Sequence, residues 1–422
     1  MNIAVLSLLF LVAAIAIGYI KDINVGVLAI IFSFVLALAG GVEMNAILNG
    51  FPSKMFLTLL GTMYLFALLQ ENGTLGLLSK KLVSLVGKRA YLVPVIVYVI
   101  SYLISAAGPG AISAQAVMII FSVSLSVQMG IKPYMMSSMA ILGTVGGTVS
   151  PIALTGVIVH DLTEKMSYPG IENLPTALML DITIMNAICA LVIYVLFKGY
   201  KLKPATQAID DIEPLSKFNR SQLFSLAGTL VLIVTVLFFQ MNVGLVGFLV
   251  AVLLSFLGAV DEKQAFRLIP WSVLILVGGM SILMDVTFEV GGIDLLTDLL
   301  KKVMNGTTAA FVMTLASGIT GWFSSGNGVV IPTFVPTAQN LASALGGISP
   351  TEIILAIVAG ATVGGLSPFD SGGSMIIGYY AQETGISEKE QQKMFLVFFG
   401  LAVLCVVLSA VLGLLGVFRL FI

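Results

Sequence analysis

Gly143-Thr-Val-Gly-Gly-Thr-Val-Ser-Pro151 interrupts one apolar stretch of the chain, and Ala361-Thr-Val-Gly-Gly-Leu-Ser-Pro368 interrupts another in the second half. A proline inside a helix frees a carbonyl one turn earlier, and paired glycines let the backbone open. At membrane depth such backbone is tolerated only where protein or a watery cavity covers it. The two stretches therefore read as discontinuous helices, which offer carbonyls to cations and helix N-termini to anions. A simply kinked transmembrane helix is the plainer alternative.

The offset that carries Thr144 onto Thr362 extends outward from these stretches. The same offset lays Pro52 on Pro270, Gly61 on Gly279, Gly73 on Gly291, Leu77-Leu78 on Leu295-Leu296, and Gly108 and Gly110 on Gly326 and Gly328. With a slip of one position, Gly130-Ile131-x-Pro133 meets Gly347-Ile348-x-Pro350. Isolated glycine matches arise by chance in a chain with 43 glycines, but a shared order of landmarks over about 115 residues indicates an internal duplication.

Of the 422 residues, 58% are hydrophobic and 10% charged, where soluble domains carry roughly 25% charged residues. Most of the chain must face lipid or other buried helices. The net charge of -1 gives no sign of nucleic-acid binding. Cys189 and Cys405 lie in apolar stretches and read as small core residues. The first apolar run has no basic residue before it, so it reads as a membrane span and not a secretory signal.

Spans are expected near residues 3–20, 24–40, 54–71, 131–158, 178–198, 223–240, 242–260, 271–289, 350–382 and 393–418. Regions 91–128 and 307–346 each read as two short helices meeting at a glycine-rich tip. The expected fold is an all-α polytopic membrane protein of two inverted repeats, with about ten transmembrane helices and two re-entrant hairpins. The first repeat is 1–198, a cytoplasmic linker 199–222 follows, and the second repeat is 223–422. Five spans on each side of the linker force opposite orientations. With the linker inside, only Lys54, Lys165, Lys301, Lys302 and Arg419 of the 20 Lys and Arg fall outside, in keeping with the positive-inside rule. Both termini are then external, in a cell's inner (plasma) membrane. Amphipathic stretches 73–89 and 291–305 are expected to lie along the interface.

Each hairpin region lacks Asp, Glu, Lys and Arg between Ala90 and Ile131 and between Val303 and Thr351. Their tips, Ser105 to Gly110 and Ser324 to Gly328, are the second set of candidate breaks. Hydroxyl and amide groups can hold carboxylate oxygens without a buried fixed charge. The candidate substrate contacts are Gly108, Pro109, Ser113, Thr148, Ser150, Ser325, Asn327, Thr333, Ser367 and Ser371. The candidate cation contacts are Ser105, Gly110, Thr144, Gly147, Ser324, Gly328, Thr362, Gly365 and Asp370. Any single Ser or Thr could equally bond its own helix. Without midplane Lys or Arg, bound cations and helix dipoles must neutralise an anionic substrate. A Na⁺ ion suits a site of carbonyls and hydroxyls, with H⁺ as the alternative, and no cofactor is expected.

Membrane-depth acids are usually functional. Asp370 is the first candidate for cation or proton binding and Asp285 the second; together they would serve a cation antiporter. Asp181 is expected to face interfacial water, and His160 is assigned no role. No catalytic arrangement appears, so an enzyme is not expected.

Two hairpins, two broken helices, interfacial arms and inverted repeats together resemble the divalent anion:sodium symporters. The stretch Gly50-Phe-Pro-Ser-Lys-Met-Phe-Leu-Thr-Leu-Leu-Gly-Thr-Met-Tyr-Leu-Phe-Ala67, followed by Glu71-Asn-Gly-Thr-Leu75, resembles the N-terminal half of the malonate/dicarboxylate carrier family. The resemblance implies a secondary dicarboxylate carrier, an elevator mechanism and a homodimer. Residues 1–90 and 223–306 would be the scaffold, and 91–198 and 307–422 the moving transport part. The symporters carry Ser-Asn-Thr at each tip. This chain has Ala107-Gly108-Pro109 and Ser325-Gly326-Asn327 instead.

Overall fold

The computed structural model describes residues 2–21, 23–84, 89–108, 110–164, 166–202, 217–239, 241–269 and 271–422. The first half comprises α1 (Ile3–Lys21), α2 (Val25–Gly40), α3 (Met44–Asn49), α4 (Ser53–Glu71), α5 (Thr74–Ser84), α6 (Val93–Ala106), α7 (Gly110–Gln128), α8 (Tyr134–Gly147), α9 (Leu154–Thr163) and α10 (Leu174–Leu196). The second comprises α11 (Arg220–Phe239), α12 (Val243–Phe256), α13 (Glu262–Leu268), α14 (Trp271–Glu289), α15 (Gly292–Leu300), α16 (Ala309–Phe323), α17 (Ile331–Phe334), α18 (Ala338–Leu345), α19 (Pro350–Val363), α20 (Ser371–Thr384) and α21 (Glu388–Leu414).

The offset of the duplication carries both ends of α4 onto the ends of α14, and brings α3 and α5 onto α13 and α15 with their ends nearly matched. The register reaches individual contacts. Asn24 and Asn242 are a matched pair, and each caps the following helix by accepting the N–H two positions on (2.8 and 3.0 Å). Each amide then reaches the other half: Asn24 donates to the Ser272 carbonyl and Asn242 to the Thr58 hydroxyl, both at 2.8 Å. Gly73 and Gly291, another matched pair, share φ of +76°, a left-handed turn that glycine adopts without strain. After Gly291, α15 turns 86° away from α14, as an arm along an interface would. On that arm the Lys301 ammonium hydrogen-bonds Asp298 and holds its carboxyl below the usual range.

The halves are exchanged at their first helices: α2 packs on α14, and α4 on α12. Small residues let the backbones meet. A Cβ at Gly61 would lie 2.0 Å from the Gly244 carbonyl oxygen, and one at Gly279 would lie 2.1 Å from that of Gly26. A small apolar core joins α1–α3 to α14 and α15, and the larger core runs through the hairpin and broken-helix elements.

Among the described residues, three helical segments are long and apolar enough to cross a membrane: Gly110–Val127, Ile171–Leu196 and Lys389–Leu414. The bent pair α14–α15 makes up to four, and other apolar helices are 10–17 residues long. Two expectations are corrected. The arm α7 has 19 residues and is not short. The arm after the second tip is not one helix: it starts as a π-helical turn at Gly326–Val330 and is cut again at Pro332 and Pro336. Of the expected linker, residues 203–216 lie outside the described residues, and α11 already begins at Arg220.

Among the described residues, Lys54–Glu164 and Arg419–Glu352 are ion pairs that link distant segments. Lys54 meets Glu164 at 2.7 Å, but both are more than a third exposed, and such pairs contribute little. Arg419 donates to Glu352 at 2.8 Å, and Glu352 is 3% exposed. Arg419→Ala leaves that carboxylate buried and unpaired. A loss of about 2 kcal/mol is expected, below the figure for two fully buried partners because Arg419 is half exposed. Thermal melting checks it: Glu352→Gln in the Arg419→Ala background restores most of the lost stability.

Candidate substrate and ion site

The second hairpin tip, the start of α7 just after the first tip, and both helix breaks meet around one cavity of about 60 Å³. It is lined by Ala111, Ile112 and Gln115 of α7, Val145 and Thr148 at the first break, Ser325, Gly326, Asn327 and Ile331 at the second tip, and Ala361, Thr362, Gly365 and Asp370 at the second break. Among the described residues no Lys or Arg lines it, and Asp370 is its one charged side chain.

Local chain chemistry positions these groups. Gly110 has φ of +71°, and a Cβ there would lie 2.5 Å from that of Leu154, so the first tip closes onto α9. Thr148 follows the last turn of α8. Its carbonyl accepts the N–H groups of Thr155 and Gly156 (3.0 and 3.1 Å), which tethers the start of α9. Its hydroxyl oxygen accepts the Ala111 N–H at 3.2 Å and the Thr155 N–H at 3.4 Å. The Thr155 hydroxyl lies 3.1 Å from that oxygen and donates to the Asn327 side-chain oxygen at 2.6 Å. First break and second tip are thus joined through Thr155. With its oxygen engaged, Asn327 has its amide hydrogens for a ligand. Ser325 accepts the Gly328 N–H at 3.0 Å and shapes the tip from within.

Residues 1–148 match the family described as "Dicarboxylate carrier protein MatC N-terminus". No curated protein sequence matches the chain. Its fold is similar to the crystal structure of the Alcanivorax borkumensis YdaH transporter, at 12% identity and a TM-score of 0.59, covering 88% of this chain and 87% of that one. The carrier match points to a transporter rather than an enzyme, and the structural likeness is one of fold.

Of the expected substrate contacts, Thr148, Ser325 and Asn327 line the cavity, and of the cation contacts, Thr362, Gly365 and Asp370 do. Others act behind it. Ser105 donates to the Thr144 carbonyl (2.6 Å) and Thr144 to that of Ile141 (2.8 Å), bolting α6 to α8. Ser367 donates to the Trp322 carbonyl at 3.0 Å, tying the second break to α16. A Cβ at Gly147 would lie 2.2 Å from the Tyr102 carbonyl oxygen, so that glycine permits close packing of α8 on α6. Gly108 packs on Phe66 of α4 and Gly328 on Leu276 of α14. Ser324 holds an extended backbone at the end of α16. Ser113, Ser150 and Thr333 are buried outside the cavity wall, and the Thr333 hydroxyl has no partner among the described residues. Pro109 and the Ser371 side chain lie outside the described residues.

Two acids differ from expectation. Asp285 is exposed on α14, away from the cavity. Asp181 does not face water: it is fully buried in α10, because its helix face turns into the bundle. Gln115 and Thr155 were not among the sequence candidates. Gln115 could have been found from the duplication, whose offset lays it on Thr333.

Proposed function

We propose that this chain is a secondary carrier of small dicarboxylate anions, driven by a cation gradient through alternating access of the elevator type. The carrier-family match supports the substrate class. The observation that carries the reading is the convergence of the second tip, the start of α7 and both breaks on a single cavity with hydroxyl, amide and carboxylate groups but, among the described residues, no Lys or Arg. A dianion there lacks a fixed counter-charge, and Asp370 adds another negative one. A bound cation beside Asp370, Thr362 and Gly365 offsets both, so ion and substrate each favour the other's binding. The Asn327 amide and the hydroxyls of Thr148 and Ser325 are the substrate-facing donors. Na⁺ is the first coupling ion to test. At about 60 Å³ the cavity holds only a few waters, so a C4 dicarboxylate enters once a tip moves aside. A homodimer with its scaffold at the twofold axis, in a cell's inner membrane with both termini external, completes the proposal.

Thermal melting of the purified protein tests it, with dicarboxylates, tricarboxylates and monocarboxylates each in Na⁺ and in choline. A ligand that binds only the folded protein raises its melting temperature by mass action. Stabilisation by dicarboxylates that requires Na⁺ is expected. Stabilisation by Na⁺ or pH alone, with no response to any carboxylate, makes the protein a cation antiporter instead.

A further inference from the structure

Asp181 stands about two turns into α10, fully buried, and neither carboxylate oxygen has a hydrogen-bond or ion-pair partner among the described residues. A carboxylate anion so placed has the full desolvation cost with nothing to offset it. A metal cation there would need several further ligands, and among the described residues no cluster of three or more His, Cys, Asp or Glu side chains could hold one. A proton needs only the carboxyl group itself.

The elements packed on α10 are α8, α9, α19, α21 and the helical turns at 171–173, 199–201 and 417–419. Their titratable side chains include Tyr134 on α8, His160 and Asp161 on α9, and Glu352 on α19. Lys389, Glu390, Lys393 and Cys405 lie on α21, and Glu172, Tyr200, Lys201 and Arg419 in the turns. Glu352 is bonded to Arg419, and none of these groups bonds to Asp181. Polar groups instead continue along α10 toward the first helix break. Two positions on, the Thr183 hydroxyl lies 3.0 Å from that of Tyr102. Further along, the buried Asn186 has an unpartnered side-chain oxygen. A Cβ at Gly146 would touch both Tyr102 and Asn186, at 3.4 and 3.3 Å. Val145, beside that glycine, lines the cavity.

We propose that Asp181 is a proton-binding site, separate from the cavity, through which a proton gradient is coupled to transport. One proton binds a carboxylate oxygen when the site communicates with one side and leaves that oxygen when it communicates with the other. This rests on the carrier reading but makes a protonation claim of its own.

The test uses the full chain in lipid vesicles, as wild type, Asp181→Asn and Asp181→Glu. Infrared difference spectra across a pH titration read the carbonyl band of a protonated carboxylic acid. A trapped pH dye and labelled succinate read transport under an imposed pH gradient, with equal Na⁺ on both sides of the membrane. Wild type is expected to show the acid band and accumulate succinate at least tenfold with proton entry. Asp181→Asn loses the band and the pH-driven accumulation, yet still exchanges labelled for unlabelled succinate. Asp181→Glu retains both. Identical spectra in wild type and Asp181→Asn overturn the proposal, as does unchanged pH-driven accumulation in that variant. Failure of wild type to move succinate or malonate defeats the carrier reading alone, because the acid band and the dye response still decide the proton site.

Discussion

Asn327→Ala abolishes dicarboxylate uptake, and Ser325→Ala does nearly the same, while both proteins remain folded in the membrane. Asn327 is the side chain of the second tip that both lines the cavity and reaches the first break, through the Thr155 hydroxyl at 2.6 Å. Alanine removes the amide donors proposed to face the substrate and takes the Asn327 oxygen away from the Thr155 hydroxyl. A hydrogen bond to a charged group contributes about 1.5–3 kcal/mol, so a loss of one to two orders of magnitude in affinity is expected for a single contact. Loss of the link between the two repeats adds to it. Ser325→Ala removes the acceptor of the Gly328 N–H at 3.0 Å and loosens the π-helical turn carrying Asn327. Labelled-succinate uptake into vesicles, with melting temperature measured in parallel, checks both. Normal uptake in both variants would remove the second tip from the site.

Gly244→Val and Gly61→Val each prevent stable assembly, and Gly26→Val and Gly279→Val do so from the equivalent crossing. At Gly244 a Cβ would lie 2.3 Å from Thr58 Cα, and at Gly26 2.3 Å from the Ile275 carbonyl oxygen. The obstacle is backbone, which cannot rotate aside. Adding a methylene to a packed core costs about 1–3 kcal/mol, and a branched side chain between two backbones exceeds that. Gly378→Ala is the control: nothing lies within 4 Å, and it sits within α20, so it is expected to be neutral or slightly stabilising. Size-exclusion profile and melting temperature measure the contrast. A well-folded Gly244→Val protein would mean that α4 and α12 do not cross there.

Much of this architecture was legible because the duplication is written in residues with few substitutes. Gly73 and Gly291 keep their spacing because both must adopt a positive φ, and Thr144-Val-Gly-Gly147 and Thr362-Val-Gly-Gly365 because helices pack closely on them. The break residues Thr148 and Asp370 and the tip residues Ser325 and Asn327 do not repeat, but could be named as the polar side chains on or beside those repeated breaks. Thr155 could not. It lies beyond the break, on the first turn of α9, and its role depends on the angle at which α9 re-enters the bundle. The burial of Asp181 is not legible because position along a span gives depth but not facing, and the packing of α8, α19 and α21 on α10 decides the latter. The exchange of α2 and α12 between halves leaves only a faint trace in the sequence: Asn24 with Gly26 and Asn242 with Gly244 obey the same offset.

That exchange bears on biosynthesis. The ribosome finishes α4 at Glu71, but its partner α12 begins only at Val243, and α2, complete at Gly40, waits longer still for α14 at Trp271. A nascent first repeat therefore holds two glycine-notched grooves that nothing in its own half can fill. Long-range closure of this kind is slow and exposes intermediates. The two halves made as separate polypeptides should each be degraded alone, and should rescue one another when made together.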